Sequence, residues 1–411
     1  MRKSELPVFG VLKGVKVVVN GSSAAGPVAA RLMADHGADV IWMESPKARD
    51  GARSGSAAEV ERRNMRTICL DIPSPGGRKI FERILSDCDI YIENLKPGIH
   101  SKWGFDDEAM WTINPRLVIA HVSGFGQYGD PYYEGRAAYD MMAQCFSGLA
   151  FSTTRPGDTV LRLAPGMIAD YYAAYLTAFA CLAGYINALK TGNGESFDCA
   201  QYEAVIGTGW SQVYDAINGK PYKYDAFDYA YGTDGYMCAD GNWLYVTTGG
   251  SGVVKGVINA IGLGDEYGEG KLYEEGLRAV FKSHPGGKKF DQALRNFCAA
   301  RNASEAEALL SAQGVSCSVV LKYSDMAVNP QYAARQSLTK MKTKLGHDII
   351  VPNVAPKAKN NPGEIFRPCP CIGDDNEDIL RDLGFTEEQI QSFIDSKILV
   401  KSDLVSGYQP N

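Results

Sequence analysis

Residues Leu12–Glu44 read LKGVKVVVNGSSAAGPVAARLMADHGADVIWME. Val15–Asn20 is a β-branched run, the composition of a strand buried on both faces. Gly21–Pro27 offers only small residues and a proline, and reads as a turn. Val28–His36 has helical spacing and stops at Gly37. Ala38–Glu44 is a second strand. A strand, loop, helix and strand in this order begin a doubly wound sheet, whose ligand sits at the carboxyl ends of the strands. The loop is not a dinucleotide fingerprint, because GSSAAGP lacks G-x-G-x-x-G, so NAD has little support. Glu44 stands where a ribose-binding acid can stand, although a strand-terminal Glu has many other uses.

The alternation continues downstream. Thr67–Ile72, Asp89–Glu93 and Leu117–Val122 read as strands, and Pro75–Asp87 as a helix with Ile80, Phe81, Ile84 and Leu85 on one face. The fold class expected is therefore α/β with a mostly parallel layer. Arg62, Arg63 and Arg66 cluster before the Thr67 strand, as solvated surface or as a phosphate clamp; surface is the commoner use. Gly124, Gly126 and Gly129 follow the Leu117 strand, where they serve a plain turn or let a ligand approach the backbone. Ala138–Gly148 and Gln201–Ile217 read as helices, with a short strand at Glu195–Ala200. The texture changes near Asn218, which marks a boundary. Beyond it Gly235–Val246 reads as a hairpin through Asp240-Gly241, Ser316–Leu321 as a strand and Leu338–Pro352 as an antiparallel hairpin. Asp375–Ile394 reads as two helices split by Gly384.

Leu163–Lys190, LAPGMIADYYAAYLTAFACLAGYINALK, is a helix after the Pro165-Gly166 turn, with apolar or small residues on nearly every side. Such a helix is buried or lies in a membrane. Tyr171–Leu189 reaches the length of a span, about 18 or more apolar residues, but Tyr171, Tyr172, Tyr175, Thr177 and Tyr185 lie inside it, and a central core helix is expected. Asp170 is the one charge between Met167 and Asn187. Either it caps the helix, or it is a nucleophile or base held at the helix mouth.

The net charge of −6 implies no basic surface for nucleic acid. With 45% hydrophobic and 22% charged residues, the chain has the composition of a soluble globular protein. MRKSELPVFGVLKG has no apolar signal region. The ten cysteines are spread through apolar segments, and the close pair Cys369-Pro370-Cys371 has no second pair at zinc spacing. With five dispersed histidines, no metal site is expected. Reduced thiols in a cytoplasmic protein fit best.

Seven ordered segments together resemble the family III CoA-transferases, the CaiB/BaiF group of formyl-CoA and carnitine CoA-transferases. They are Leu12–Glu44, RRNMRTICLDI, IYIENLKPG, LVIAHVSGFGQYGDP, AYDMMAQCFSG, APGMIADYYAAYLTAFACLAGY and TGNGESFDCAQYEA. NPQYAARQS and PKAKNNPGEIFR are similar to the carnitine branch, and the bile-acid branch also looks near. The resemblance spans essentially the whole chain. It implies a Rossmann-like large CoA-binding domain, residues 1–220 with 330–411, a smaller α+β domain, 225–325, and an interlocked homodimer. The family nucleophile falls on Asp170. The adenosine diphosphate of CoA would lie along Ala24, Ala25, the strand ending at Leu70, and the Asn94-Leu95 turn, with Lys102 and Trp103 as further contacts. Lys102 stands where Arg is common, and so lacks the planar fork. Gly249-Gly250-Ser251-Gly252 is similar to a mobile glycine loop of the family. Tyr139 and Asp140 would meet the acyl-CoA and its acyl pocket, and Tyr229 and Tyr231 are aromatic candidates from the small domain.

The chemistry so implied is transfer of CoA from an acyl-CoA thioester to a carboxylic acid of carnitine-like, bile-acid or 2-hydroxy-acid type. It proceeds through an aspartyl anhydride and an aspartyl-CoA thioester. Acyl-CoA is substrate, and no permanently bound cofactor or metal is needed. Two alternatives differ. A 2-methylacyl-CoA racemase of the same fold pairs the aspartate with a histidine, but Tyr139 occupies that position here. A non-catalytic CoA-binding protein would have no use for Asp170.

Overall fold

The computed structural model describes residues 1–47, 51–53, 55–209, 211–225, 229–274 and 276–402. The chain divides into two compact units, residues 1–210 with 334–411, and residues 211–333.

The larger unit is built on six parallel strands: β1 (Lys16–Asn20), β2 (Asp39–Glu44), β3 (Arg66–Cys69), β4 (Ile90–Glu93), β5 (Val118–Ser123) and β6 (Ser196–Ala200). Their order is β3-β2-β1-β4-β5-β6. The direction of winding reverses between β1 and β4, which opens a crevice beyond their carboxyl ends. In β1 the side chains alternate. Val17 and Val19 pack with Ala29, Ala30 and Met33 of the Ala25–Ala34 helix and Ala173, Ala174 and Cys181 of the Ile168–Thr191 helix. Val18 faces the other way, into Ile80, Phe81 and Ile84 of the Pro75–Asp87 helix. Ser74 caps that helix by accepting from the Gly77 N–H at 3.1 Å.

The end of the chain returns to this unit. The Asn376–Asp382 and Glu387–Asp395 helices bury Ile379, Leu380 and Ile390 in the second core. Asp375 and Asn376 accept from the backbone N–H groups of Thr67 and Cys69 at 2.8 and 2.9 Å. Strands β10 (Leu338–Lys342) and β11 (Asp348–Pro352) form the expected antiparallel hairpin. The smaller unit has β7 (Asp234–Met237), β8 (Trp243–Thr247) and β9 (Ser316–Val319) in an antiparallel sheet. Tyr236, Leu244 and Val246 pack there against Val254, Phe290 and Leu294.

Several expectations need correction. The Gln201–Ile217 segment is two helices, Gln201–Ile206 and Ser211–Ile217, interrupted at Gly207-Thr208-Gly209, where two glycines weaken the helix. Arg62, Arg63 and Arg66 are neither surface nor clamp. They are 0, 1 and 2% exposed and pair with Glu61, Asp35, and Asp39 with Asp382, respectively. A guanidinium can be buried when carboxylates meet its fork. The Ile168–Thr191 helix packs on the sheet with its alanine face only. Tyr175, Leu176, Phe179, Ile186 and Leu189 are exposed, Phe179 by 71%. Length and composition alone would let this one helix cross a membrane. All ten cysteines are free thiols, and no cluster of metal-ligating side chains occurs among the described residues.

Candidate active site

The crevice holds two cavities. One, of about 270 Å³, is lined by Ser22, Ala25, Asn94, Lys96, Arg136, Tyr139, Asp170 and Gln201, among others. The other, of about 350 Å³, is lined mainly by Met43, Leu70, Ile72, Pro73, Leu95 and Trp103, with Lys47 and Asp71 at its side. Ser22 and Leu95 line both. They follow β1 and β4, the two strands that flank the switch point.

Asp170 is the third residue of the Ile168–Thr191 helix and is 5% exposed. It does not cap that helix. The cap comes from Asp140, the first residue of the Asp140–Phe146 helix. Asp140 Oδ1 accepts from the N–H groups of Ala169 at 2.7 Å and Asp170 at 3.2 Å. Gln144 fixes the other oxygen, donating from Nε2 at 2.6 Å, while its own Oε1 accepts from the Ala164 N–H at 2.9 Å. Asp140 thus belongs to the helix terminus, and it is not among the residues lining the Asp170 cavity. Its backbone duties leave the Asp170 carboxyl free of capping and facing the cavity.

Gln201 Nε2 donates to Asp170 Oδ1. Burial, then the charges of Asp140 and Glu61, push the Asp170 carboxyl up to about 7, against the opposing hydrogen bond from Gln201. Glu61 is itself held by Arg62 at 2.8 Å and by the Tyr171 hydroxyl at 3.1 Å. A carboxyl poised near neutrality in a small cavity can act as nucleophile or base.

The loop after β1 is held in an unusual shape. Ser23 has φ of 59°, in the left-handed region, and its carbonyl accepts from the buried Arg62 guanidinium at 2.5 Å. Asn94 clamps the neighbouring residue. Its Oδ1 accepts from the Ser22 N–H at 3.1 Å and its Nδ2 donates to the Ser22 carbonyl at 2.7 Å. Arg136 lies over the rings of Phe125, Tyr132 and Tyr133, 5.2, 4.8 and 5.3 Å from their centroids, which fixes a guanidinium at the wall of the Asp170 cavity.

Of the residues named from sequence, Ala25, Asn94, Leu95, Tyr139 and Asp170 share the first cavity, and Leu70, Leu95 and Trp103 the second. Ala24 is fully buried, with its carbonyl accepting from the Val28 N–H at 2.8 Å, and lines neither cavity. Lys102 is exposed and also lines neither. Glu44 reaches the second cavity, but Arg53 and Thr67 hold its carboxylate. Gly249 and Gly250 lie between β8 and the Ser251–Ala260 helix of the smaller unit, and Ser251 and Gly252 begin that helix. Tyr231 packs on that unit's core, and Tyr229 meets Phe281 edge to face. Sequence reasoning missed Gln201, Lys96 and Arg136. The first two lie inside segments already singled out, but nothing in a linear pattern shows where a side chain points. No histidine lines the Asp170 cavity.

Residues 12–376 match the model of CoA-transferase family III. The bile acid CoA-transferase BaiK of Clostridium scindens is 33% identical over 417 residues, covering 99% of this chain and 93% of that protein. An L-carnitine CoA-transferase of a Proteus strain is 35% identical over 403 residues, covering 95% and 97%. A CaiB/BaiF family protein from Brucella suis has the same fold in its crystal structure, with a TM-score of 0.75 and 23% identity over 91% of this chain and 100% of that one. With relatives of one-third identity running nearly end to end, and the family model spanning both the β1 loop and the Asp170 helix, this protein belongs to CoA-transferase family III and is a CoA-transferase.

Proposed function

We propose that Asp170 is the nucleophile of a transfer that passes through covalent aspartyl intermediates, with CoA laid across the two cavities. One observation carries this reading: the cavity that Asp170 faces shares its wall with an apolar cavity at the switch point of the sheet. The adenine ring would fill the space between Leu70, Ile72 and Trp103. The pantetheine arm would pass Ser22 and Leu95 and bring the thioester to Asp170. Lys96 and Arg136 would face the diphosphate or the incoming carboxylate. The larger unit is, on this reading, the CoA-binding domain.

The Asp170 carboxylate attacks the thioester carbonyl, the C–S bond breaks, and CoA departs as thiolate, leaving a mixed acyl-aspartyl anhydride. The thiolate then attacks the aspartyl carbonyl, the anhydride C–O bond breaks, and the first acid departs. The second acid attacks the aspartyl-CoA thioester, and the same two steps run in reverse. Each thioester or anhydride is exchanged for another, so no ATP is consumed. Gln201 keeps Asp170 oriented and favours its anion. Tyr139 in place of a histidine leaves no second base for α-proton abstraction, which disfavours the racemase.

The acids are of bile-acid, carnitine or 2-hydroxy-acid type, the first two by likeness to the relatives named above. The exposed apolar face of the Ile168–Thr191 helix is covered by a second copy of the chain, as in an interlocked homodimer. Ten cysteines outside disulfides support a reducing compartment such as the cytoplasm. The test is Asp170→Ala with acyl-CoA and a panel of these acids. Transfer should vanish while the fold persists, and hydroxylamine should trap an aspartyl adduct in the wild type. Turnover within about tenfold of wild type in Asp170→Ala would overturn the assignment.

A further inference from the structure

Beneath the crevice lies a buried network that the transfer chemistry does not use. Glu93 ends β4 and is 2% exposed. Its Oε2 accepts from the Leu95 N–H at 2.7 Å, and its Oε1 lies 2.6 Å from His121 Nδ1. His121 Nε2 lies 2.9 Å from Asp107 Oδ1. Both ring nitrogens face carboxylates, so both carry protons and the ring is an imidazolium. Burial alone would lower the His121 pKa, but the bonds to Asp107 and Glu93 outweigh it and push it up to about 10. A second histidine extends the network. Asn20, which lines the second cavity, donates to the Tyr91 hydroxyl at 3.0 Å, and that hydroxyl is hydrogen-bonded to His100 Nε2 at 2.7 Å. The other nitrogen, Nδ1, is 3.8 Å from Glu93.

We infer that Glu93, held by His121, is a positioning residue for CoA: it sets the Asn94-Leu95 turn and, through Asn94, the Ser22 loop. Glu93 binds the backbone of Leu95 directly. Asn94, the residue between them, binds both backbone groups of Ser22. Ser22 and Leu95 are the two residues shared by the cavities. The network therefore ends on the joint that the CoA arm must cross. A fixed carboxylate is the suitable anchor, because two donors approach it from different elements and a neutral amide, with one acceptor oxygen facing them, cannot satisfy both.

This rests on CoA occupying the two cavities. The experiment compares Glu93→Gln and His121→Gln with wild type on an acyl-CoA and on the matching acyl-N-acetylcysteamine thioester, which lacks both the nucleotide and the part of the arm that crosses the Ser22-Leu95 joint. The amide of Glu93→Gln keeps the size of the carboxylate but must turn its NH2 toward Leu95 N–H or toward His121. We expect KM for acyl-CoA to rise about tenfold with kcat changed less than about threefold, and KM for the acyl-N-acetylcysteamine thioester to change less than about twofold. His121→Gln should show the same split and carries the comparison if Glu93→Gln does not fold. An unchanged KM for acyl-CoA, or an equal rise for both thioesters, overturns the inference and leaves Glu93 a purely structural residue. Asp170→Asn is assayed alongside. Residual transfer there counts against the transferase site, whereas loss there with an unmoved KM in Glu93→Gln counts only against the positioning role.

Discussion

Asp140 and Asp170 are two buried carboxylates on adjoining helices, and a single oxygen of Asp140 accepts the backbone N–H of Asp170 at 3.2 Å. The first acid is spent on the helix terminus. The second is thereby left to the cavity, but it must ionise close to a like charge. This pairing governs how the enzyme should respond to pH.

On the proposed mechanism Asp170 attacks as an anion, and its pKa is pushed up to about 7 from an ordinary 3.8. On the acid side of that value kcat/KM for acyl-CoA should fall about tenfold per pH unit. The stability effect has the opposite sense to that of a salt-bridged acid. Because the folded pKa is raised, the folded state holds a proton that the unfolded state has lost between pH 3.8 and about 7. Stability falls as pH rises through this window, and the full penalty persists above it. Asp170→Asn removes the penalty. It should be more stable than wild type at pH 8, by an amount on the order of 1–4 kcal/mol, and the gap should close toward pH 4. Denaturant titrations of both proteins at several pH values would show it; equal stability at pH 8 would contradict the raised pKa.

Substitutions of Asp140 separate its two effects. Asp140→Ala removes the cap of the Ile168–Thr191 helix and should cost about 1–2 kcal/mol. Asp140→Asn keeps an acceptor for the Ala169 and Asp170 N–H groups but removes the negative charge. Its acid limb in kcat/KM should move to lower pH, since the like charge no longer opposes ionisation of Asp170. A limb that moves upward, or not at all, would show that Asp140 does not set the Asp170 charge.

Gln201 acts in the other direction, because its hydrogen bond stabilises the Asp170 anion. In Gln201→Leu the acid limb should move to higher pH, with about tenfold less activity at pH 7 and recovery toward pH 9. Activity lost equally at every pH would instead mean that Gln201 orients the carboxylate without tuning it.

How much of this was legible in the chain depends on the range of the interactions. The alternation of Val17, Val18 and Val19 across the sheet is a local property, and the strand-loop-helix start of a doubly wound sheet followed from it. Asp170 stood out because the residues around it are apolar. Its neighbours did not stand out: Gln201 is 31 residues away and Asp140 is 30. The buried arginines show the same limit. Arg66 reaches Asp382 across 316 residues, and a sequence gives no sign that such a partner exists. Three arginines within five residues therefore look like surface until their carboxylates are in place.

That arginine cluster makes its own prediction. Asp35 accepts from Arg63 at 3.0 and 2.7 Å, from Arg31 at 3.0 Å and from Asn64 at 2.8 Å, and it is 1% exposed. Asp35→Ala leaves two buried guanidinium groups without their carboxylate. It should cost about 3–5 kcal/mol, far more than loss of an exposed pair. Urea unfolding would measure this, and a loss below about 1 kcal/mol would show that water or another acid replaces Asp35.

Gly21 tests the joint between the cavities from the β1 side. A Cβ at this position would lie 1.6 Å from Asn94 Oδ1, well inside contact distance. The nearest atom that must give way is the end of the Asn94 side chain, whose amide carbon would lie 2.8 Å from the same Cβ. Gly21→Ala should therefore push the Asn94 amide off the Ser22 backbone and break both of its hydrogen bonds. Asp170, Gln201 and Asp140 are held by other elements, so the chemical step should survive. KM for acyl-CoA should rise about tenfold, and thermal stability should fall by the worth of one or two hydrogen bonds, about 1–3 kcal/mol. Adding Asn94→Ala to Gly21→Ala should then restore much of the stability without restoring KM, because the clash is gone but the clamp is still missing. If the double variant recovers wild-type KM, Asn94 fills space at the joint and does not hold the loop.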